Sequence, residues 1–174
     1  MLLIVYNYIM SENASSAENQ QERLQKLSTD YIVALVDGEG YFSVSAIIDK
    51  SKNYMSRRIR LVFGVDLREV DSEILLRLQR TLGCGKITLK SEKRPNFSDC
   101  LQYQVRNYED IKNIIIPFFL KNKLQMKTKK SAFEKFCYIA KLFEEKVHFT
   151  DKGFLEVQNL AYKMHTIESS ETIR

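Results

Sequence analysis

The sequence predicts an α+β fold: a curved four-stranded antiparallel sheet with helices packed behind one of its faces. Two kinds of apolar spacing indicate this, one with apolar residues at every second position and one with helical spacing, in the order α-β-β-α-β-β-α plus C-terminal helices. Strands with one apolar face must bury that face under helices and leave the other to solvent. With 174 residues and 20.4 kDa, the chain has the size of one domain with its own core.

The first helix is predicted between the N-cap oxygens of residues 28–30 and two terminating glycines, Gly38 and Gly40. Ala34 and Gly38 lie four residues apart on one face, which therefore carries almost no side chain. Such a face allows a second helix to cross very closely. An acidic residue, Glu39, stands between the two glycines, so the pattern places a carboxylate at the end of a packed helix.

Four strands are predicted from alternating apolar residues. The first covers Tyr41–Asp49, and after a polar loop around Lys52 the alternation resumes in a second strand around residues 58–66. The third, Lys86–Lys90, and the fourth, Leu101–Arg106, form another pair. The residues expected to face the core are Phe42, Val44, Ala46, Ile48, Ile59, Leu61, Phe63, Val65, Leu101, Tyr103 and Val105.

Asp71 is expected to cap a second helix, and Gly83 to close it at the C′ position. Asn107 is expected to cap a third helix, which Pro117 breaks. The inward residues of these two helices are Ile74, Leu75, Leu78, Leu82, Ile111, Ile114 and Ile115.

Two more helices are predicted near the C-terminus. One begins at about Thr128, and the other is capped by Thr150 or Asp151. Their inward residues are Phe133, Phe136, Ala140, Phe143, Leu155, Leu160 and Met164.

The outward face of the sheet is rich in hydrogen-bond donors. Arg and Gln side chains read guanine and adenine edges, and a curved antiparallel ribbon can enter the major groove, so this face favours DNA; a solvated sheet surface is the alternative. Three basic residues, Lys50, Lys52 and Arg57, are expected in the adjoining loop, where they would contact phosphate. The outward candidates are Tyr41, Ser43, Ser45, Ile47, Arg58, Arg60, Lys86, Thr88, Lys90, Gln102, Gln104 and Arg106.

Residues 32–40, IVALVDGEG, resemble the signature of the LAGLIDADG homing endonucleases, with Val33, Ala34 and Glu39 as mild departures. Further segments resemble this family in its order, so the resemblance spans about residues 28 to 165 and implies the family's fold. These segments are Leu82–Ile87, Tyr103–Asn107, Ile116–Phe119 with the lysines that follow it, and His148–Gly153.

The resemblance implies a site-specific DNA endonuclease. Such an enzyme recognises a long, nearly palindromic target, cuts both strands by phosphodiester hydrolysis, leaves short 3′ overhangs and promotes intron mobility. The motif occurs once, which implies a homodimer that crosses through Ala34, Leu35 and Gly38. The implied cofactor is Mg²⁺, with Mn²⁺ able to replace it, since hard divalent ions held by carboxylates suit this reaction.

Within the resemblance, Glu39 corresponds to the catalytic acid and metal ligand, the carbonyl of Gly38 lies beside it, and Asp37 takes a structural role. Flanking glycines allow the backbone to approach both metal and phosphate. Without the resemblance, the interpretation of Glu39 would be a surface acid that ends a helix.

A catalytic lysine is also implied after the Pro-Phe segment. Lys127 fits best by its distance from Phe133, with Lys129 and Lys123 as alternatives. Relatives often carry a glutamine after the second strand that organises water, but this chain has Leu67 there, which leaves that role unassigned.

Two other functions stay open on the sequence. Some family members assist splicing, so an RNA-binding maturase with its host intron RNA as partner is one alternative. The other is a DNA-binding regulator that keeps the fold without cleavage.

The composition sets broader bounds. A net charge of +5 and a pI near 9.0 favour a polyanionic partner. Three cysteines without metal-binding spacing argue against disulfides and zinc, which fits a reducing intracellular compartment, either a prokaryotic cytoplasm or an organelle matrix. No membrane segment is predicted. Residues 1–27 and 169–174 are expected to be tails, the first partly disordered, around a single domain at 28–168.

Overall fold

The computed structural model describes residues 25–51, 54–90 and 100–165, with side chains at all of these except 49–51, 54, 55 and 165. The predicted α+β architecture is confirmed. The first helix, α1, covers Thr29–Glu39, and Ser28 caps it by accepting a hydrogen bond from the backbone N–H of Tyr31. The described part starts before the predicted domain boundary: Leu27 is buried, and its N–H donates to the hydroxyl of Thr81.

The sheet contains four strands in the order β1-β2-β4-β3. They are β1 (Gly40–Ser51), β2 (Tyr54–Arg68), β3 (Lys86–Lys90) and β4 (Cys100–Val105), and every neighbouring pair is antiparallel. The predicted parity of the two central strands is confirmed, because Phe63, Val65, Tyr103 and Val105 are fully buried.

Helix α2, Ser72–Leu82, follows a short 3₁₀ turn and ends at Gly83, whose φ of 71° is left-handed as predicted for a C-terminal glycine. Asp71 stands at its N-cap, but its side chain makes no capping hydrogen bond. The 3₁₀ turn Glu69–Asp71 leads directly into α2 and already orders the chain at its start. The helix therefore begins without a capping hydrogen bond from the Asp71 side chain.

The third predicted helix does not end at Pro117. Asn107 caps a short helix α3, Tyr108–Asp110, which continues through a π-helical turn, Ile111–Ile115, into α4, Ile116–Lys121. Proline lacks the N–H that an α-helical ladder needs, and a π turn just before it shifts the ladder by one residue. The helix therefore passes the proline instead of breaking.

Helix α5 covers Lys127–Glu144, and α6 covers Asp151–His165. The hydroxyl of Thr150 accepts from the N–H of Gly153, which makes Thr150 the cap of α6. Of the predicted inward residues of α6, Leu160 and Met164 pack against the core, but Leu155 is wrong because it is 56% exposed. Phe154 and Val157 are the buried residues there. No helix in the described ranges is both long and apolar enough to cross a membrane.

The core lies between the inner face of the sheet and the helices. Its centre is the ring of Phe42 on β1, which packs 5.1 to 5.6 Å from four other aromatic rings. These belong to Phe63 on β2, Phe119 on α4, and Phe133 and Phe136 on α5. Such packing ties the first strand, and hence the end of α1, to the helical layer.

Candidate active site and nucleic-acid interface

The candidate catalytic acid lies at the junction between α1 and β1. Glu39 is the last residue of the helix and is exposed, and Gly38 before it is exposed as well. Gly40 is buried, and a Cβ on it would lie 2.6 Å from a methyl carbon of Val36. Only glycine therefore lets the chain turn from helix into strand at this point, which fixes Glu39 at a tight, solvent-facing corner.

The other acid of the motif, Asp37, is buried and binds the backbone of the segment before α5. Its Oδ2 accepts a hydrogen bond of 2.8 Å from the N–H of Gln125, and its Oδ1 accepts one of 3.1 Å from the N–H of Met126. Two backbone donors satisfy the charge that burial would otherwise penalise. Asp37 thus anchors the start of α5 to the end of the motif helix.

This anchor brings one lysine of α5 to the acidic corner. The ε-ammonium of Lys129 donates a hydrogen bond to the carbonyl oxygen of Gly40, next to Glu39. Lys127, the lysine favoured by sequence spacing, is exposed, and so is Lys123. Residues 121–130 carry five lysines, so the corner lies beside a strongly cationic segment.

Leu67 stands at the position where the resemblance led us to expect a water-organising glutamine. It lies on the inner face of β2 and packs against the core, so it offers no polar group to the corner. Its neighbours Asp66 and Arg68 are half-buried and exposed, respectively. Among the three, only Asp66 is joined to the polar network of the outer face described below.

The outer face of the sheet presents the predicted residues together. Pairing of the strands aligns Tyr41, Gly64, Gln104 and Lys86 in one row across all four strands. Asp66, Gln102 and Thr88 form the next row. The exposed members of this face are Ser45, Ile47, Arg58, Arg60, Lys86, Thr88, Lys90 and Arg106, and the half-buried members are Tyr41, Ser43, Gln102 and Gln104.

A hydrogen-bond network crosses the middle of this face. The hydroxyl of Tyr41 accepts from the amide nitrogens of Gln102, at 2.9 Å, and Gln104, at 2.7 Å. The amide of Gln102 also donates to the carboxylate of Asp66, which forms a 3.1 Å ion pair with Lys90. Burial raises the pKa of Tyr41, so its hydroxyl is neutral at physiological pH.

The alternation in the second strand places Gly64 and Asp66 on this face, but it gives neither of them a role there. The ring of Tyr41 lies over Gly64, where an added Cβ would come within 2.4 Å of the phenol. A glycine inside a strand signals this kind of close approach. Asp66 has no comparable signal, because an acid on a predicted DNA surface is indistinguishable in sequence from a solvated one.

Of the three expected phosphate contacts, Arg57 is placed elsewhere. It lies within β2 rather than in a loop, and its odd position turns the side chain towards α6. There its guanidinium donates to the carbonyl of Phe149, pairs with Asp151 and stacks 5.6 Å from the ring of Phe154. These partners commit Arg57 to holding the sheet against α6. The side chain of Lys50 and all of Lys52 lie outside the described residues.

The expected dimer face is the outer side of α1. Ala34 and Gly38 are exposed and Leu35 is half-buried, whereas Ile32 and Val36 on the other side have no exposed surface. Apart from its chain neighbours and the backbone of its own helix, no atom of the described residues lies within 4 Å of a Cβ added to Gly38. The helix therefore packs on its own domain through one side and presents a nearly flat backbone surface on the other.

The acidic corner suits a hard divalent cation shared with a substrate. Nowhere in residues 25–51, 54–90 and 100–165 do three or more His, Cys, Asp or Glu residues cluster as a complete metal cage. Mg²⁺ is commonly held by only one or two carboxylates together with phosphate oxygens and water. The exposed carboxylate of Glu39 at this corner matches that second kind of site.

Two known proteins with similar sequences are named as probable intron-encoded endonucleases. The probable intron-encoded endonuclease 3 of Neurospora crassa is 30% identical over 142 residues, which is 80% of this chain and 25% of the relative. The probable intron-encoded DNA endonuclease 1 of Mycosarcoma maydis is 27% identical over 119 residues, 68% of this chain and 40% of the relative. The chain thus spans a quarter and two-fifths of the lengths of these two relatives.

Solved structures with the same fold are homing endonucleases. The homing endonuclease I-TnaI aligns with a TM-score of 0.69 and 27% identity over 82% of this chain and 90% of its own. The LAGLIDADG homing endonuclease I-SmaMI, bound to cleaved DNA, aligns with a TM-score of 0.67 and 29% identity over 80% of this chain and 45% of its own. A family model described as LAGLIDADG endonuclease matches residues 32–140. This chain belongs to the LAGLIDADG endonuclease family.

Proposed function

We propose that this chain is a site-specific homing endonuclease that makes double-strand breaks in a long, nearly palindromic DNA target by metal-dependent hydrolysis. The cut leaves short 3′ overhangs and promotes mobility of the host intron. The observation that carries the proposal is the acidic corner, where the exposed Glu39 ends the helix of the small-residue face and precedes Gly40, whose carbonyl accepts from Lys129. A candidate metal ligand, a lysine and a surface suited to helix crossing thus lie near the same end of α1.

The outer face of the sheet supports DNA as the substrate. Exposed Arg58 and Arg60 project from β2, while Lys86, Thr88 and Lys90 project from β3. A net charge of +5 adds a non-specific attraction for phosphate. I-SmaMI, which shares the fold, has been solved with cleaved DNA. Base reading by the sheet and phosphate binding by the lysines of residues 121–130 are the corresponding proposals for this chain.

The corner supports phosphodiester hydrolysis. Glu39 and the carbonyl of Gly38 would hold Mg²⁺ or Mn²⁺, which when bound supplies charge stabilisation for the attacking and leaving oxygens. Lys129 places its ammonium beside Gly40, where it would stabilise negative charge on the scissile phosphate. We assign the catalytic lysine to Lys129 in place of Lys127 on this contact.

A homodimer completes the proposal. The exposed face of Ala34, Leu35 and Gly38 allows a second copy of α1 to cross at close range, which would bring two Glu39 carboxylates near the two-fold axis. Each copy would then present the same sheet to one half-site, so the target would be nearly palindromic.

The test is direct cleavage. Purified protein is incubated with Mg²⁺ and a duplex that carries the intron-less insertion site, and the products are sequenced at both ends; EDTA is the control. The proposal expects one double-strand cut with short 3′ overhangs that EDTA abolishes. Specific binding without cutting would instead indicate a DNA-binding regulator, and binding only to the host intron RNA would indicate a maturase.

A further inference from the structure

The amide nitrogen of Gln102 has no hydrogen left to offer to a ligand. It donates to the hydroxyl of Tyr41 at 2.9 Å and to the carboxylate of Asp66 at 2.9 and 3.1 Å. A glutamine amide carries two N–H groups and one carbonyl oxygen. With both N–H groups committed within the sheet, the carbonyl oxygen is the hydrogen-bonding group of the Gln102 side chain that has no partner among the described residues.

The partners of Gln102 are themselves held in place. The ring of Tyr41 lies over Gly64, and its hydroxyl also accepts from Gln104 at 2.7 Å. Asp66 is paired with Lys90 at 3.1 Å. Because the members come from all four strands, rotating the amide of Gln102 would break two hydrogen bonds and leave Asp66 facing a carbonyl oxygen.

A fixed acceptor selects a donor. In the major groove the only base donors are the exocyclic amino groups of adenine and cytosine, while guanine N7 and O6 and thymine O4 are acceptors. A free glutamine reads adenine with two hydrogen bonds, one of which needs its N–H to reach N7. Gln102 cannot make that second bond while the network is intact, and an acceptor placed opposite it would be left unpaired.

We propose that Gln102 is a specificity-determining residue that reads one exocyclic amino group in each half-site as a pure acceptor, and that Tyr41 and Asp66 are positioning residues that lock its amide. This rests on the proposed function, since it assumes that the outer face reads duplex DNA. Gln104 is different, because within the described ranges its amide makes one hydrogen bond, to Tyr41, and one N–H stays available. A two-bond contact to adenine is therefore open to Gln104 and closed to Gln102.

The experiment begins with selection of bound duplexes from a randomised DNA library by the full chain in EDTA. Comparison with Gln102→Ala then identifies the base pair whose preference depends on Gln102. Two modified duplexes are made at that pair: in one, hydrogen replaces the exocyclic amino group; in the other, carbon replaces the purine N7. For the wild type we expect the first change to weaken binding by roughly 3- to 10-fold and the second by less than about twofold.

The positioning residues are tested by Asp66→Asn and Tyr41→Phe, which keep the shape of the surface but release the amide. With either variant we expect replacement of N7 by carbon to weaken binding by roughly 3-fold or more, because Gln102 can then turn an N–H towards N7. Asp30→Asn, at the exposed start of α1 and away from the outer face, should leave the effects of both DNA modifications unchanged. Circular dichroism checks that each variant is folded. Binding of the two modified duplexes by the wild type tests the acceptor role of Gln102 independently of the folding of Asp66→Asn and Tyr41→Phe.

The outcomes distinguish a failure of the proposed function from a failure of the locked acceptor at Gln102. If no duplex is enriched, the proposed function fails and this inference fails with it. If a target is enriched but Gln102→Ala alters no base pair, or the wild type already depends on N7, the locked-acceptor assignment is wrong while the endonuclease proposal stands. If neither Asp66→Asn nor Tyr41→Phe increases the loss of affinity caused by replacing N7 with carbon, the positioning role of Asp66 and Tyr41 is wrong.

Discussion

The ε-ammonium of Lys129 on α5 donates a hydrogen bond to the carbonyl of Gly40, the first residue of β1. The two residues are 89 positions apart in sequence, yet the contact sets a positive charge beside the last residue of the motif helix. Asp37 makes this possible by fixing the backbone at Gln125 and Met126, just before α5 begins. The acidic corner is therefore built from two distant parts of the chain.

The first prediction follows from that contact. Lys129→Met should lower the rate of DNA cleavage by about 100-fold, because a group that stabilises charge on the phosphate is lost, while binding changes little. Lys127→Met removes a neighbouring exposed lysine and is the matched control, with a loss of only a few fold expected. Single-turnover cleavage assays measure both, and the reverse order of effects would return the catalytic role to Lys127.

Asp37→Asn should destabilise the fold by about 1–3 kcal/mol, since the amide can accept from one of the two backbone N–H groups but presents a donor to the other. Chemical denaturation measures the change. Asp30→Asn, at the exposed start of the same helix, serves as the control and should have little effect. Equal effects of the two substitutions would show that the buried anchor contributes nothing special.

A pH dependence of stability is expected from His148. This histidine is buried, stacks 4.9 Å from Phe143, and has no hydrogen-bond partner at Nδ1 in the part of the chain that the structure describes. Burial lowers its pKa, partly offset by a backbone hydrogen bond at Leu142. Its contribution is therefore complete above the unfolded-state pKa of about 6.5 and is lost as the pH falls from there through the folded-state value, with a slope of at most about 1.4 kcal/mol per pH unit.

The measurement compares thermal unfolding midpoints of the wild type and His148→Gln at several pH values between 5 and 8. The wild type should lose more stability than the variant on going to the acidic end. Parallel curves would mean that His148 titrates normally or not at all in this window.

Gly38→Leu should prevent dimerisation without unfolding the protomer. Within one chain a Cβ at this position meets no atom within 4 Å, so the added bulk has room in the monomer but would force two crossing helices apart. Sedimentation at working concentration measures the mass, with Leu155→Asn on the exposed side of α6 as the control. A wild type that sediments as a monomer with and without DNA would contradict the dimer itself.

Much of the fold could be predicted because it depends on local periodicity. A strand repeats every two residues, so Leu61, Phe63 and Val65 identify the inner face of β2, and all three are buried. The end of α1 was predictable for a similar reason, since Gly38 and Gly40 flank a residue that the helix cannot bury. The candidate acid Glu39 follows from the same local pattern.

The inward face of a helix was harder to predict where two adjacent stripes of the helix surface are apolar. In α6, Phe154 and Leu155 are adjacent, and either could mark the inner face. Gly153 decides between them, because a Cβ there would lie 2.1 Å from the carbonyl of Val147, and this close approach sets the rotation of the helix. The π turn before Pro117 is equally invisible to a pattern that assumes a uniform helical repeat.

Side-chain partners that are distant in sequence could not be predicted at all. Arg57 binds the carbonyl of Phe149, 92 residues away, and thereby leaves the set of expected phosphate contacts. The choice between Lys127 and Lys129 depends on a contact of the same kind. Composition and spacing identify which groups are available, but only the packed fold decides which of them meet.

The most direct test of the account is the Mg²⁺-dependent cutting of the cognate duplex by wild-type protein and by Glu39→Gln. The substitution keeps the volume of the side chain and removes the charge that would hold a divalent ion, and a neutral amide does not replace a carboxylate in that role. We expect cleavage to fall to background while binding of the same duplex stays within a few fold of the wild type. Substantial Mg²⁺-dependent cutting by Glu39→Gln would remove this residue from the active centre and contradict the account.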